Sequence, residues 1–355
     1  MVTRREFVAG IAALTAGAAA RRLDALPLLR RAAAARVVQT VTGPLTPDRL
    51  GLTLMHEHVL VDFIGAEQVS TSRYDPDDVF KVALPRLTEV RTLGCDTLVD
   101  CTPAFIGRDV RLLKRLAETS GVHILTNTGY YGAANDKFLP RHAFTESAAQ
   151  LAARWIRESE HGIDGTDIRP AFMKIGVDEA PLSDVDAKLV KAAAITLKAT
   201  GLTIASHTTT GAAAMAEIEI LDRAGVPAHR FIWVHAHNEK DASFHVRAAK
   251  AGAWVEFDGI ADDSVSRHVD LVRAMKAEGL LGRVLLSHDA GWYHVGEAGG
   301  GEFRPYTTLF TRMVPALEQA GLTKDEISAI LVDNPRRALT GEPSERSGGA
   351  HWTTG

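Results

Sequence analysis

Two histidines set two residues apart, His56 and His58, lie inside the apolar run Leu54-Met55-His56-Glu57-His58-Val59-Leu60. The neighbours favour a strand, where residues i and i+2 point to the same face. Both imidazoles then project side by side, an arrangement suited to a divalent metal bound through nitrogen. Alone, the pair also fits two ordinary histidines beside a strand end, so later residues must supply the remaining ligands.

They do. Other apolar runs carry or end on metal-binding types: Lys174 within Phe172-Met173-Lys174-Ile175-Gly176, His207 after 202–206, His235 after 231–234, and Asp289 just past 284–286. Four histidines and an aspartate at strand ends predict a metal site. Lys174 is the odd member, because a lysine in an apolar strand is costly to bury as a charge. Either it pairs with a carboxylate such as Asp289, or its amine is neutral, its pKa lowered by burial and nearby metal charge. A neutral amine can take up carbon dioxide. The carbamate formed is a carboxylate-like bridge for two cations.

The elements that must position these side chains follow a simple repeat. Strands are expected at 53–62, 97–101, 122–126, 171–177, 202–206, 231–234, 253–257 and 284–286. Helices are expected between and after them, at 77–93 with Asp77 as cap, 109–119, 145–159, 184–200, 212–224, 241–251, 269–278 and 307–320. Eight such units predict an α/β fold, a single-domain (β/α)8 TIM barrel over 36–343, with 344–355 a flexible tail. A doubly wound sheet would carry a Gly-rich phosphate loop after its first strand, and none is present. In barrels the chemistry sits at the C-terminal ends of the strands, where all these residues fall.

With 355 residues, 46% of them hydrophobic, the chain can bury a large core. The net charge is −4, and residues 1–35 contribute +4, leaving the body acidic. That argues against a nucleic-acid partner. Cys95 and Cys101 are too few for a disulfide framework and read as buried thiols. Arg4-Arg5-Glu6-Phe7 precedes an apolar run, 8–20, too short to span a bilayer comfortably. Residues 1–35 thus resemble a twin-arginine export signal, and a periplasmic or extracellular protein is expected.

At this point the sequence resembles the phosphotriesterase family of the amidohydrolase superfamily, from about Val38 to Leu339. The resemblance rests on Gln39-Thr40-Val41-Thr42-Gly43-Pro44, Gly51-Leu52-Thr53-Leu54-Met55-His56-Glu57-His58, Gly107-Arg108-Asp109, Met173-Lys174-Ile175-Gly176, Ser206-His207-Thr208, Ser287-His288-Asp289 and Asn334-Pro335. It implies a hydrolase with two divalent cations, zinc as a rule. His56, His58 and Asp289 would bind the more buried ion, and His207 and His235 the more exposed one. Carboxylated Lys174 would bridge them together with a hydroxide. That hydroxide would attack an ester, lactone or phosphoryl centre, with Asp289 as proton acceptor and Lys174 part of the catalytic centre. The resemblance also suggests a homodimer.

Substrate choice falls to the loops after the strands. Tyr130, Tyr131, Trp292 and Tyr293 are the expected substrate-binding residues. A tyrosine at the position of Tyr131 resembles the lactonase branch, but that branch carries an Arg after the seventh strand's Asp. Here the run is Phe257-Asp258-Gly259-Ile260. Phosphotriester and small N-acyl amide hydrolysis remain alternatives, and a small-molecule-binding barrel is the non-enzyme one. The outer His-x-x-Asp of the family is replaced by His235-Ala236-His237-Asn238. Glu57 and His288 are expected to face away from the ligands, His245 to lie on the surface, and Asp100 and Asp258 to be hydrogen-bonding groups at the rim.

Overall fold

In the computed structural model, residues 37–342 are described, and those from Val38 onward form one compact unit. The expected export signal at 1–35 and tail at 344–355 lie outside the described residues. The strands are β1 (Val38–Thr40), β2 (Gly43–Leu45), β3 (Thr53–Val61), β4 (Thr97–Asp100), β5 (His123–Leu125), β6 (Asn127–Thr128), β7 (Phe172–Gly176), β8 (Thr203–His207), β9 (Phe231–Val234), β10 (Trp254–Phe257), β11 (Val284–Leu286) and β12 (Gly291–His294). From β3 to β12 the pairing is parallel and closes on itself, β12 pairing with β3 through Gly291 and His58. This is a TIM barrel whose third strand is split into β5 and β6 and whose eighth is split into β11 and β12.

All nine residues of β3 are buried, as expected of a parallel strand covered on both faces. Helices cover the outside, and their ends are written in the sequence. Asp109 caps Val110–Ser120 by accepting from Arg111 N and Leu112 N, and Ser147 forms a capping box with Gln150 ahead of Ala148–His161. The first helix, Pro76–Thr92, starts earlier than expected. Pro76 fits its first turn, so Asp75 rather than Asp77 is the cap.

A second apolar cluster fills the lumen and its N-terminal end. Met55, Phe172, Ile232, Trp254 and Leu285 meet Val38 and Leu45 of the β1–β2 hairpin, and Ala338 and Leu339 of the helix Asn334–Thr340. Val41 N bonds Ile124 O at 2.9 Å, and Thr203 Oγ1 bonds Ala338 O at 2.8 Å. Both elements lie outside the eight expected units. They seal the end of the barrel opposite the candidate site. Among the described residues no helix is long and apolar enough to cross a membrane.

Candidate metal centre

The register of β3 against β4 shifts between Leu54 and Glu57, a bulge of the kind that re-aims side chains beside active sites. His56 and His58 converge past it, their Nε2 atoms 3.2 Å apart. Asp289 Oδ1 lies 3.1 Å from His58 Nε2 and 3.7 Å from His56 Nε2. Three donor atoms at these separations suit one cation about 2.1 Å from each, since the edges of such a tetrahedron are about 3.4 Å.

The second half lies across the lumen. The His207 and His235 rings meet edge to face at 4.3 Å, and His235 is 4.9 Å from His56. Lys174, also buried, shares the pocket floor with all five. No carboxylate oxygen comes within 4.0 Å of its Nζ among the described residues, so the alternative of a Lys174–Asp289 ion pair is not made. Nζ instead stands 5.6 Å from the centre of the Tyr131 ring.

Two of these residues hold strained backbone. His235 and Asp289 are left-handed, with φ of 63° and 52°. Such strain persists only where the surroundings over-determine it. His235 N donates to Asp258 Oδ2 at 3.0 Å, and Asp289 N to His56 O at 2.9 Å. On either side of Asp289, Glu57 takes bonds from Ser287 Oγ at 2.8 Å, from His288 N and Nδ1 at 3.1 and 2.7 Å, and from Ala290 N at 2.9 Å. Glu57 thus faces away from the ligands and holds the segment between β11 and β12 that carries Asp289. His288 also turns away, its Nε2 accepting from Leu309 N. Asp100 accepts from Val59 N and Thr102 N, and Thr102 Oγ1 meets His58 Nδ1 at 2.8 Å.

The electrostatics favour cations. Burial pushes His58 down to about 4 against the pull of Asp289, and burial with the His235 and Lys174 charges holds His207 well below its ordinary value. Both are neutral, as metal ligands must be. His56 goes the other way. Burial opposes its charge, but Asp258 and Glu256 outweigh burial and raise it to about 10. The carboxylates of Asp258, Glu256 and Asp289 thus favour positive charge at this spot, which a bound cation would supply. The donor set therefore fits divalent cations.

Above the floor, Val61, Phe63, Pro103, Ile106, Phe138 and Trp292 form apolar walls, and Tyr131 reaches His207, its hydroxyl 3.1 Å from a ring nitrogen. Gly291 is required here. A Cβ on it would fall 1.9 Å from His58 O, which already accepts from Tyr306 Oη at 2.7 Å. Trp292 is left-handed with φ 73°, and the Arg304 guanidinium stacks 4.5 Å over its ring.

Two expected substrate residues are not on these walls. Tyr130 alternates away from Tyr131, packs on Trp155 and meets His142 Nε2 at 2.9 Å. Tyr293 alternates away from Trp292 because β12 is a strand, and packs beneath Gly300. His245, expected at the surface, is buried with Nε2 2.7 Å from Ala236 O. Sequence reasoning gave no place to Glu256 or Glu217. A carboxylate two residues before Asp258 in a barrel strand was the available signal for Glu256.

Barrel and floor together define a metal-dependent hydrolase built on strand ends. The sequence profile of the phosphotriesterase family matches residues 36–339, and the chain belongs to that family. The phosphotriesterase homology protein of Mycobacterium tuberculosis (strain ATCC 25618 / H37Rv) is 30% identical over 329 residues, 88% of this chain and 98% of the relative. The N-acetyltaurine hydrolase of Salmo salar is 28% identical over 346 residues, covering 85% and 97%. Among solved structures, the organophosphorus hydrolase from Deinococcus radiodurans is similar with a TM-score of 0.77 at 25% identity, covering 85% of this chain and 96% of that one.

Proposed function

We propose that the protein is a hydrolase using two divalent cations, zinc by preference, to cleave an ester bond: a lactone, a carboxyl ester or a phosphotriester. The observation that carries this is the convergence of His56, His58, Lys174, His207, His235 and Asp289 on one pocket floor. His56, His58 and Asp289 would hold one cation and His207 and His235 the other, and Lys174, as a carbamate, would supply a ligand to both. Bound there, the cations polarise a C=O or P=O oxygen and bring the pKa of water near neutrality.

The protein's own groups do the rest. Asp289 contacts His58 and His56 through Oδ1, which leaves Oδ2 to take up the proton of the attacking water. The Tyr131 hydroxyl, beside His207, orients the substrate oxygen. The apolar walls exclude bulk water and receive the substrate's hydrocarbon part. A small N-acyl amide is the second reading, favoured by the likeness to the N-acetyltaurine hydrolase and by the lack of Arg after Asp258. The twin-arginine-like segment supports export, checked by fractionating expressing cells. A homodimer is checked by light scattering.

The deciding experiment is metal analysis of protein purified in bicarbonate, with a hydrolysis screen of lactones, aryl esters, organophosphates and N-acyl amides. Two equivalents of metal and turnover of one class are expected. Less than one equivalent, with activity untouched in Lys174→Ala, overturns the mechanism. Metal without turnover of any class leaves a binding barrel instead.

A further inference from the structure

Asp258, at the end of β10, is surrounded by nitrogens from both halves of the centre. His235 Nδ1 donates to its Oδ1 at 2.6 Å and His235 N to its Oδ2 at 3.0 Å. His237 Nδ1 stands 3.0 Å from Oδ1, and His56 Nδ1 stands 3.1 Å from Oδ2. The carboxylate is fully buried. Four nitrogens stand within 3.1 Å of its two oxygens, and the two of His235 are aligned as hydrogen bonds while those of His56 and His237 are in charge contact only. Asp258 is thus a positioning residue, although it lies close enough to His56 and His235 to complete a ligand triad.

Its partners belong to different cations. His56 completes the group with His58 and Asp289, while His235 stands with His207. An Nδ1 directed at a carboxylate carries the proton, which leaves Nε2 as the lone pair for metal. One carboxylate therefore fixes the tautomer of His235 by a hydrogen bond and, by its charge at 3.1 Å, favours the proton on Nδ1 of His56, and its bond to His235 N also holds that residue's left-handed backbone. The surroundings are built to permit this. Gly259 follows Asp258, and a Cβ there would fall 2.8 Å from His237 Nε2.

We propose that Asp258 couples the two metal positions, so that both cations load as one cooperative event rather than as independent ones. This rests on the two-cation reading above. The test is a zinc titration of metal-free protein, followed by calorimetry, for wild type and Asp258→Asn. Wild type should take up two equivalents in one steep step. Asp258→Asn should fold, judged by a single cooperative melting transition of the metal-free protein even at a lower temperature, yet bind in two separate steps. Its affinity should fall roughly 10- to 100-fold at both positions. A matching loss at only one position, or none, overturns the coupling. So does a wild-type isotherm with two independent sites, a measurement that stands even if the variant does not fold. Wild type that binds no zinc overturns the two-cation reading itself, and the coupling with it.

Discussion

Lys174 points its amine across the pocket floor toward the Tyr131 ring, 5.6 Å from ring centre to Nζ, with no carboxylate beside it. A buried ammonium without a counter-ion is expensive. As a carbamate the same side chain would be an anion among histidines and cations. Lys174→Ala is therefore expected to retain less than one equivalent of metal and to lose at least about 100-fold in kcat, since lost metal ligands act on chemistry itself. Metal analysis and steady-state kinetics check both. Metal uptake by metal-free wild type should also quicken with added bicarbonate, and an uptake rate independent of bicarbonate would count against the carbamate.

The Tyr131 hydroxyl lies 3.1 Å from a His207 ring nitrogen. Tyr131→Phe removes one hydrogen-bonding group and keeps the ring that packs on Phe138. A hydrogen bond of about 1 kcal/mol corresponds to roughly a fivefold loss in kcat/KM. The metal content should not change. A simultaneous loss of metal would mean that Tyr131 acts by holding His207 rather than by orienting substrate.

Glu57 gathers Ser287, His288 and Ala290 around Asp289. Glu57→Gln would turn one acceptor oxygen into a donor facing N–H groups. The expected cost is about 3 kcal/mol, in the range for breaking a buried charged network. Urea unfolding of metal-free protein measures it, and unchanged midpoints would refute the clamp.

Glu217 supplies a pH dependence. Burial raises its carboxyl from 4.5 to about 8, outweighing the bonds from Ser206 and Thr208. The folded protein then keeps a proton that the unfolded chain gives up at lower pH. Its contribution to stability is full below pH 4.5 and lost as pH rises through about 8. Glu217→Gln imitates the protonated form, so its melting temperature should fall less than that of wild type over this window. Metal-free samples keep zinc loading out of the comparison, and parallel curves would refute the assignment.

Trp292 is presented in a left-handed conformation and forms a pocket wall between Phe63 and His58. Trp292→Ala should change the ranking of substrates more than the rate on the smallest. Loss of a wall is expected to shift kcat/KM between large and small substrates by about tenfold. A uniform loss across a substrate series would instead assign Trp292 to holding Asp289.

The polar members of the floor were legible because each breaks the apolar pattern of its own strand. His56 and His58 lie in an apolar run, and Lys174 cannot be explained by packing. Asp258 was read as a hydrogen-bonding group, but its hub position was not visible. That position depends on His56, His235 and His237 arriving from β3 and from the turn after β9, and no local pattern encodes it. Tyr130 and Tyr293 show the opposite error. Both neighbour a wall residue in sequence and point elsewhere, and for Tyr293 the cause is the alternation of β12, which a loop assignment for 291–294 concealed. The β1–β2 hairpin and the helix Asn334–Thr340 were missed because they add no further strand–helix unit.

That hairpin and that helix have a consequence for traffic. With Leu45, Leu50 and Leu339 packed into the far end of the lumen, the barrel is a blind alley with one mouth. Substrate arriving and product leaving share the passage between Phe63, Phe138 and Trp292. A product still held there would stand in the path of the next substrate, so competitive product inhibition is the expected kinetic pattern.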